Sequence, residues 1–136
     1  MTNRVAATAS AVTLTLTTNI IVVTVTPAAP NNQVTAPLPG VLVRAECVVT
    51  GAASATNATV SIVRGSAAGG TNILASAVVQ PVTTGATDTT IVVSAIETVA
   101  NFNAANGIYS LQVNQAGAGT TARIATIELQ PLSAGG

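Results

Sequence analysis

The stretch from Val12 to Thr26, VTLTLTTNIIVVTVT, alternates threonine with aliphatic residues along most of its length. A period of two is typical of β-strands, because successive side chains of a strand point to opposite faces of a sheet. The stretch therefore predicts two short strands, each with an apolar side and a threonine side. The threonines of this stripe are Thr13, Thr15, Thr17, Thr24 and Thr26.

Three roles compete for the threonine stripe: an ice-binding face, the polar side of an ordinary sheet, or a wall of a larger assembly. Ice-binding threonine faces need many rungs in register, usually supplied by a repeat, and this sequence has no repeat of fixed period. Threonine is also simply a good strand former on a polar face. We therefore interpret the stripe as the polar side of a sheet that another subunit covers. The two strands could form a hairpin, or the first could be an arm that pairs with another chain.

The alternating pattern continues along the chain, and glycine-, proline- and asparagine-rich pieces interrupt it. The predicted strands are 11–17, 20–26, 41–50, 57–64, 72–80, 89–97, 107–115 and 120–130. Eight short strands predict an all-β protein, an antiparallel β-sandwich with an eight-stranded jelly roll. A barrel and an immunoglobulin-like sandwich remain alternatives. The last two strands are predicted to form a hairpin, with Ile127 and Leu129 in the core.

Four prolines in residues 27–40 predict an extended link, because proline removes donors from the ladder of a sheet. We therefore expect N-terminal strands or an arm with a Pro-rich link in 1–40, the sandwich in 41–132 and a flexible tail in 133–136. Residues 1–30 are expected to contact other subunits. On this interpretation their deletion would abolish binding to a partner and leave the sandwich folded.

Charged residues make up only 6% of the 136 residues, and the net charge is zero. Ordinary soluble domains carry roughly 25% charged residues. A surface of Thr, Ser, Asn and Gln costs less to desolvate than a charged one, which suits a chain that lies against neighbouring subunits. The chain has no basic patch for nucleic acid and no amphipathic or long apolar stretch for a membrane. Composition therefore favours a protein that works by assembly.

The residues of catalytic and metal sites are scarce in this chain. It has no histidine, and its four acidic residues are scattered along the sequence without metal-ligand spacing. The single cysteine, Cys47, lies in a strand-like run and is expected to be a small buried hydrophobe. We expect neither catalysis nor a cofactor. Arg44 and Glu46 lie two apart in one strand and are candidate intersubunit contacts, where each would pair with neighbours on adjacent strands; an exposed salt bridge is the alternative.

Two stretches, VLVRAECVVTGAASATNATVSIVRGSAAGGTNILAS at 41–76 and YSLQVNQAGAGTTARIATIELQPL at 109–132, share a pattern of strands and turns with a known group. They resemble small jelly-roll proteins of tailed bacteriophage virions, chiefly in IVRGS at Ile62–Ser66, in Tyr109 and in the closing IELQPL. The resemblance implies a structural role on the virion: a decoration or cement protein of the capsid, or a fibre component. It implies no catalytic residues.

The expected function is therefore that of a capsid decoration protein, which binds the outer surface of an icosahedral phage capsid and stabilises it. Its partners would be the major capsid protein and copies of itself, as a homotrimer at a three-fold position. Its location would be the capsid surface of the virion. The alternatives are a carbohydrate- or surface-binding module of a fibre or adhesin, and a self-assembling shell or filament subunit.

Overall fold

The computed structural model describes residues 5–9, 12–13, 19–26, 39–50, 56–74, 76–82, 88–98, 101–102, 107–115 and 121–133. Of the predicted link at 27–40 and the predicted tail at 133–136, residues 27–38 and 134–136 lie outside these ranges, whereas residues 39, 40 and 133 belong to strands. Most described residues are in strands. The strands are β1 (Val5–Ala9), β2 (Val12–Thr13), β3 (Asn19–Val25), β4 (Pro39–Thr50), β5 (Thr56–Arg64), β6 (Val78–Val82), β7 (Asp88–Glu97), β8 (Tyr109–Gln115) and β9 (Thr121–Ser133).

The strands form two antiparallel sheets. Sheet A has the order β1-β9-β4-β7, with the short β2 also on β9, and sheet B has the order β3-β8-β5-β6. Side chains of both sheets contribute to one apolar core. The prediction of an all-β protein built from antiparallel sheets is confirmed, and the arrangement is that expected for a β-sandwich.

The strand pairs are nested in the sequence. β5 pairs with β6, β4 with β7, β3 with β8, and β1 with β9. Two further pairs, β4 with β9 and β5 with β8, join these ribbons into the two sheets. Most connections therefore cross from one sheet to the other, and among the described strands only β1–β2 and β5–β6 follow each other within a sheet.

The described N-terminal strands belong to the two sheets. β1 runs along β9, from Val5 opposite Leu129 to Ala9 opposite Ala125, and β3 runs along β8. β2 and β3 lie in different sheets, so they do not form the hairpin that the threonine stripe allowed. β3 also supplies buried core residues, so the described strands of this region pack as part of the two sheets.

The predicted hairpin between the last two strands is wrong. β8 lies in sheet B and β9 in sheet A, so the two strands face each other across the core. Both strands carry a fully buried apolar face, with Leu111 and Val113 on one and Ile127 and Leu129 on the other. The predicted burial of these residues is confirmed.

The described strands differ from the predicted ones mainly in three places. β1, Val5–Ala9, lies before the first predicted strand and was not predicted. The segment predicted as a strand at 72–80 makes only an isolated bridge, Asn72 to Val63, before β6 begins at Val78. β9 extends beyond 130 to Ser133, where it pairs with Pro39 at the start of β4.

Small aliphatic side chains fill most of the core. β4 alternates strictly between buried and half-buried residues, and Val41, Val43, Ala45, Cys47 and Val49 all point inward. Such alternation is expected where one face of a strand meets the core and the other meets the surroundings. The single tyrosine and the single phenylalanine of the chain stack on each other with ring centroids 6.2 Å apart, and both are buried.

Candidate interaction surface

The outer side of sheet A carries most of the exposed apolar surface of the described residues. Among the described residues, four large hydrophobic side chains are exposed. Three of them lie on sheet A: Val92 (50% exposed), Ile96 (63%) and Ile124 (55%). The fourth, Val78, is in β6 of sheet B. Neighbouring positions along the sheet are also apolar, since Ile96 is the register partner of Leu42 and Ile124 that of Val48.

We call this surface the sheet A face. It comprises outward-pointing residues of β4, β7 and β9: Leu42, Arg44, Glu46, Val48, Val92, Ser94, Ile96, Ile124 and Thr126. Single exposed hydrophobic residues are ordinary on proteins, but several of them on one face of a sheet favour an interaction site. The sheet A face is therefore the candidate functional surface of the molecule.

An ion pair lies in the middle of the sheet A face. The Arg44 Nη2 atom is 3.2 Å from the Glu46 Oε2 atom, and the two side chains are 41% and 43% exposed. The two residues were predicted to pair with residues on adjacent strands, but they pair with each other because positions two apart share a face. An exposed pair of this kind stabilises a fold by about 1 kcal/mol at most. Arg44 is also the register partner of the buried Glu128 on β9.

The threonines of the predicted stripe do not share one described surface. Thr13 lies in β2 of sheet A, and Thr24 lies in β3 of sheet B. Thr24 is half-buried, and its Oγ1 is 2.8 Å from the Ser110 Oγ. Thr26 is exposed just after β3. Thr15 and Thr17 lie outside the described residues.

The outer side of sheet B differs from that of sheet A because a loop covers part of it. Residues 65–71 connect β5 to the bridge residue Asn72 and lie against β8. The Gly69 backbone N–H donates to the Gln112 side-chain oxygen at 2.7 Å, and the Ser110 hydroxyl donates to the Gly65 carbonyl at the same distance. Ser110 and Gln112 are buried although they point away from the core. The loop thus shields part of the outer side of sheet B, whereas the described residues leave the outer side of sheet A open.

A buried polar cluster joins the two sheets at one end of the core. Glu97 of β7 is 3% exposed, and its Oε2 accepts hydrogen bonds from Arg64 Nε at 2.6 Å and from the Tyr109 hydroxyl at 2.7 Å. Its Oε1 accepts a second bond from Arg64, at 3.2 Å. We call these three residues the polar clamp. Arg64 thus pairs with an acidic residue of the opposite sheet, whereas Arg44 pairs within its own strand.

The charges of the polar clamp stabilise each other. Burial alone would raise the pKa of Glu97, but the hydrogen bonds from Arg64 and Tyr109 and the Arg64 charge outweigh burial and lower it. The hydrogen bond to Glu97 raises the pKa of Arg64, and burial together with Glu97 raises that of Tyr109. The Glu97 carboxylate therefore accepts its hydrogen bonds from donors of the protein itself, and we interpret its role as structural.

Cys47 is fully buried on the inner side of β4. Burial, and secondarily the Glu46 carboxylate, raises the pKa of its thiol to about 11. Because the thiolate is the reactive form of cysteine, this thiol is unreactive in the folded protein. The prediction of a small buried hydrophobe is confirmed.

Within the described ranges, no group of three or more potential metal-ligating side chains comes together. No helix in those ranges has the length and apolar character needed to cross a membrane. No protein-family model matches the chain, and no curated protein sequence matches it.

The sequence prediction named Arg44 and Glu46 of the sheet A face as candidate contacts but not their pairing with each other, and it missed the apolar residues of this face. A signal was present, because the run IVV at 91–93 places apolar side chains on both sides of one strand. A strand of a sheet with one solvated face normally alternates, so an unbroken apolar run indicates that both faces are covered.

Proposed function

We propose that the protein is a structural subunit of a bacteriophage virion, a decoration protein that binds the outer surface of an icosahedral capsid. The observation that carries the proposal is the sheet A face, an apolar surface centred on a neutral ion pair. A chain with 6% charged residues and no net charge adds little desolvation cost when that face is covered. The sequence resemblance described above is the reason for proposing the virion as the place of assembly.

We further propose that the two sheets form a jelly roll. The nested pairing supports this, since the first strand pairs with the last and each inner pair encloses the next. A long antiparallel ribbon with this order, rolled up on itself, gives two four-stranded sheets whose strands alternate between them. Jelly rolls are common among viral capsid domains, which agrees with the proposed role without establishing it.

Binding would use the apolar residues of the sheet A face. Each Å² of apolar surface removed from water contributes about 25 cal/mol. The Arg44–Glu46 pair would lie within the interface and fix the orientation of the subunit, since opposite charges on the partner must match it. Many copies on one capsid would convert modest contacts into lasting attachment.

A carbohydrate-binding module is the rival from another class, and the aromatic residues argue against it. Sugar-binding sites commonly use exposed aromatic rings as platforms. This chain has one tyrosine, one phenylalanine and no tryptophan. Tyr109 and Phe102 are both buried and stack on each other. No aromatic side chain of the whole chain is left for such a platform.

The test uses capsids of the phage that encodes the chain, prepared from a mutant in which its gene is interrupted. Purified protein is added, the particles are sedimented, and the bound protein and the temperature of capsid disruption are measured. We expect saturable binding at a fixed number of copies per capsid and a higher disruption temperature. Absence of binding, or binding without saturation, would contradict the proposal.

Two variants locate the binding surface. Ile124→Lys places a charge in the sheet A face at a position that is more than half exposed, so the core is unaffected. Ser66→Lys adds the same charge at an exposed site in the loop that covers sheet B. We expect the first variant to bind capsids at least about tenfold more weakly and the second to bind like the wild type. Equal binding by both would exclude the sheet A face.

A further inference from the structure

β7 is the one edge strand of the described sheets that combines length with regularity. It has ten residues, Asp88–Glu97, and pairs with β4 over its whole length without a bulge. Among the described residues it has no strand on its other side. It contains no proline, lysine or arginine. A long, regular, apolar edge presents unpaired backbone donors and acceptors to another strand.

The other three edges carry the features that discourage such pairing. β6 has five residues and includes Pro81, which cannot donate to a ladder. β3 has an irregular register between Ile21 and Val23. The edge next to β9 is divided between two short strands, β1 and β2. Proteins protect exposed edges in these ways, so the lack of protection at β7 calls for a partner.

We infer that β7 pairs with β7 of a second copy, antiparallel, about a two-fold axis at Ser94. This register places Val92 of each copy opposite Ile96 of the other, on the outer side of the joined sheet. These are the two exposed hydrophobic residues of β7, and the pairing brings all four of them in the dimer into cross-strand contact. Thr90 faces Thr98 in the same register, so polar residues also meet polar residues. A two-fold axis requires such self-complementarity.

The charges of β7 are compatible with this register. Glu97 points inward and is held by Arg64 and Tyr109. Asp88, at the other end, accepts a hydrogen bond from the Thr50 hydroxyl of β4. With the axis at Ser94, Asp88 lies beyond the last paired residue of the partner. No like charges therefore face each other, which would oppose pairing.

The joined sheets A would form one continuous sheet in a symmetric dimer. This inference does not rest on the proposed virion role. It differs from the homotrimer expected from sequence, because pairing of one strand with its own copy closes after two subunits. A dimer would also present two sheet A faces on one side, which would double the contacts available to a capsid.

Light scattering of the purified full chain, over a wide range of concentrations, tests the dimer. We expect a particle of twice 13.3 kDa, in equilibrium with monomer at the lowest concentrations. Ile96→Lys should raise the dissociation constant at least about tenfold, since it removes two symmetry-related cross-strand contacts. Ile124→Lys is the matched control, an equally exposed isoleucine on the same face but away from the edge, and should leave the dimer intact.

A monomer or a trimer of the wild type at every concentration would overturn the inference. Equal weakening by both lysine variants would do so as well, because it would indicate face-to-face stacking of sheets instead of edge pairing. If a strand of a different protein occupies this edge instead, the purified chain alone should be a monomer. That result is the first of the two outcomes that would overturn the inference.

Crosslinking tests the register. Ser94→Cys would place two cysteines opposite each other at the axis, within the Cα separation that a disulfide needs. The buried Cys47 does not compete. Under mild oxidation we expect a covalent dimer from Ser94→Cys and none from Thr90→Cys, whose copies lie far apart in this register. A covalent dimer from Thr90→Cys alone would overturn the proposed pairing.

Discussion

Replacement of Glu97 by glutamine tests the polar clamp, which is the main charged connection between the two sheets. Glutamine has nearly the same shape as glutamate, so packing is preserved. It keeps one acceptor oxygen, but its amide NH₂ then faces a donor of Arg64 or Tyr109, and the charge of Arg64 loses its partner. The three hydrogen bonds that Glu97 accepts are therefore reduced in number and in strength.

The magnitude follows from the burial of the three partners. Removal of one member of a buried ion pair costs about 3–5 kcal/mol. Glu97 is buried, but 30% of the Arg64 side chain is exposed, so water can solvate part of the unpaired guanidinium. We therefore expect the lower end, a loss of about 3 kcal/mol. Tyr109→Phe removes one donor and leaves the ion pair, and should cost about 1–2 kcal/mol.

Urea unfolding followed by far-ultraviolet circular dichroism measures both losses, and this probe does not depend on the tyrosine. With a slope of about 1.5 kcal/mol per molar urea, Glu97→Gln should lower the midpoint by about 2 M. The lowered pKa of Glu97 means that its contribution is complete above the ordinary glutamate pKa and is lost as the pH falls through its folded value. The difference from wild type should therefore shrink in acid. An unchanged midpoint at neutral pH would refute the proposed role of the clamp.

Three further changes test other parts of the fold. Gly40→Ala should destabilise by about 2 kcal/mol or more, because Gly40 has a φ of +153° and an added Cβ would collide with the Glu97 carbonyl; an unchanged urea midpoint would be inconsistent with this. Cys47 should resist thiol reagents in the native protein and react in urea, whereas rapid native labelling would show an exposed thiol. Deletion of residues 1–30 should abolish cooperative unfolding, since it removes β1, β2 and β3; a folded truncation would mean that these strands are dispensable.

The sequence predicted local structure well. Alternation places Val41, Val43 and Val49 of β4 on one side, and the same rule puts Ile127 and Leu129 in the core, as observed. These predictions succeed because the direction of a side chain along a strand depends only on its neighbours in sequence.

Pairing between strands was harder to predict. The short connection between β8 and β9 suggested a hairpin, although the strands belong to different sheets. The choice between hairpin and crossing depends on the total apolar surface buried by both sheets, which no local pattern contains. The same holds for the polar clamp, because Arg64 and Glu97 are 33 positions apart and meet only after both sheets form.

The candidate surface was predicted in part. Arg44 and Glu46 were recognised because positions two apart share a face, whereas Val92, Ile96 and Ile124 were not. Their exposure depends on which outer faces of the two sheets other parts of the chain cover, and no local pattern contains this information. The described threonines do not form a common surface for a related reason, because Thr13 and Thr24 lie in different sheets.

We propose that the sheet A face of this protein is covered by capsid subunits. The most direct test of this proposal measures the copy number of the chain, relative to the major capsid protein, in purified virions of a phage whose genome encodes it, by quantitative mass spectrometry. We expect a fixed ratio that matches the symmetry of the capsid lattice. Absence of the chain from virions, or a trace amount that varies between preparations, would contradict the claim.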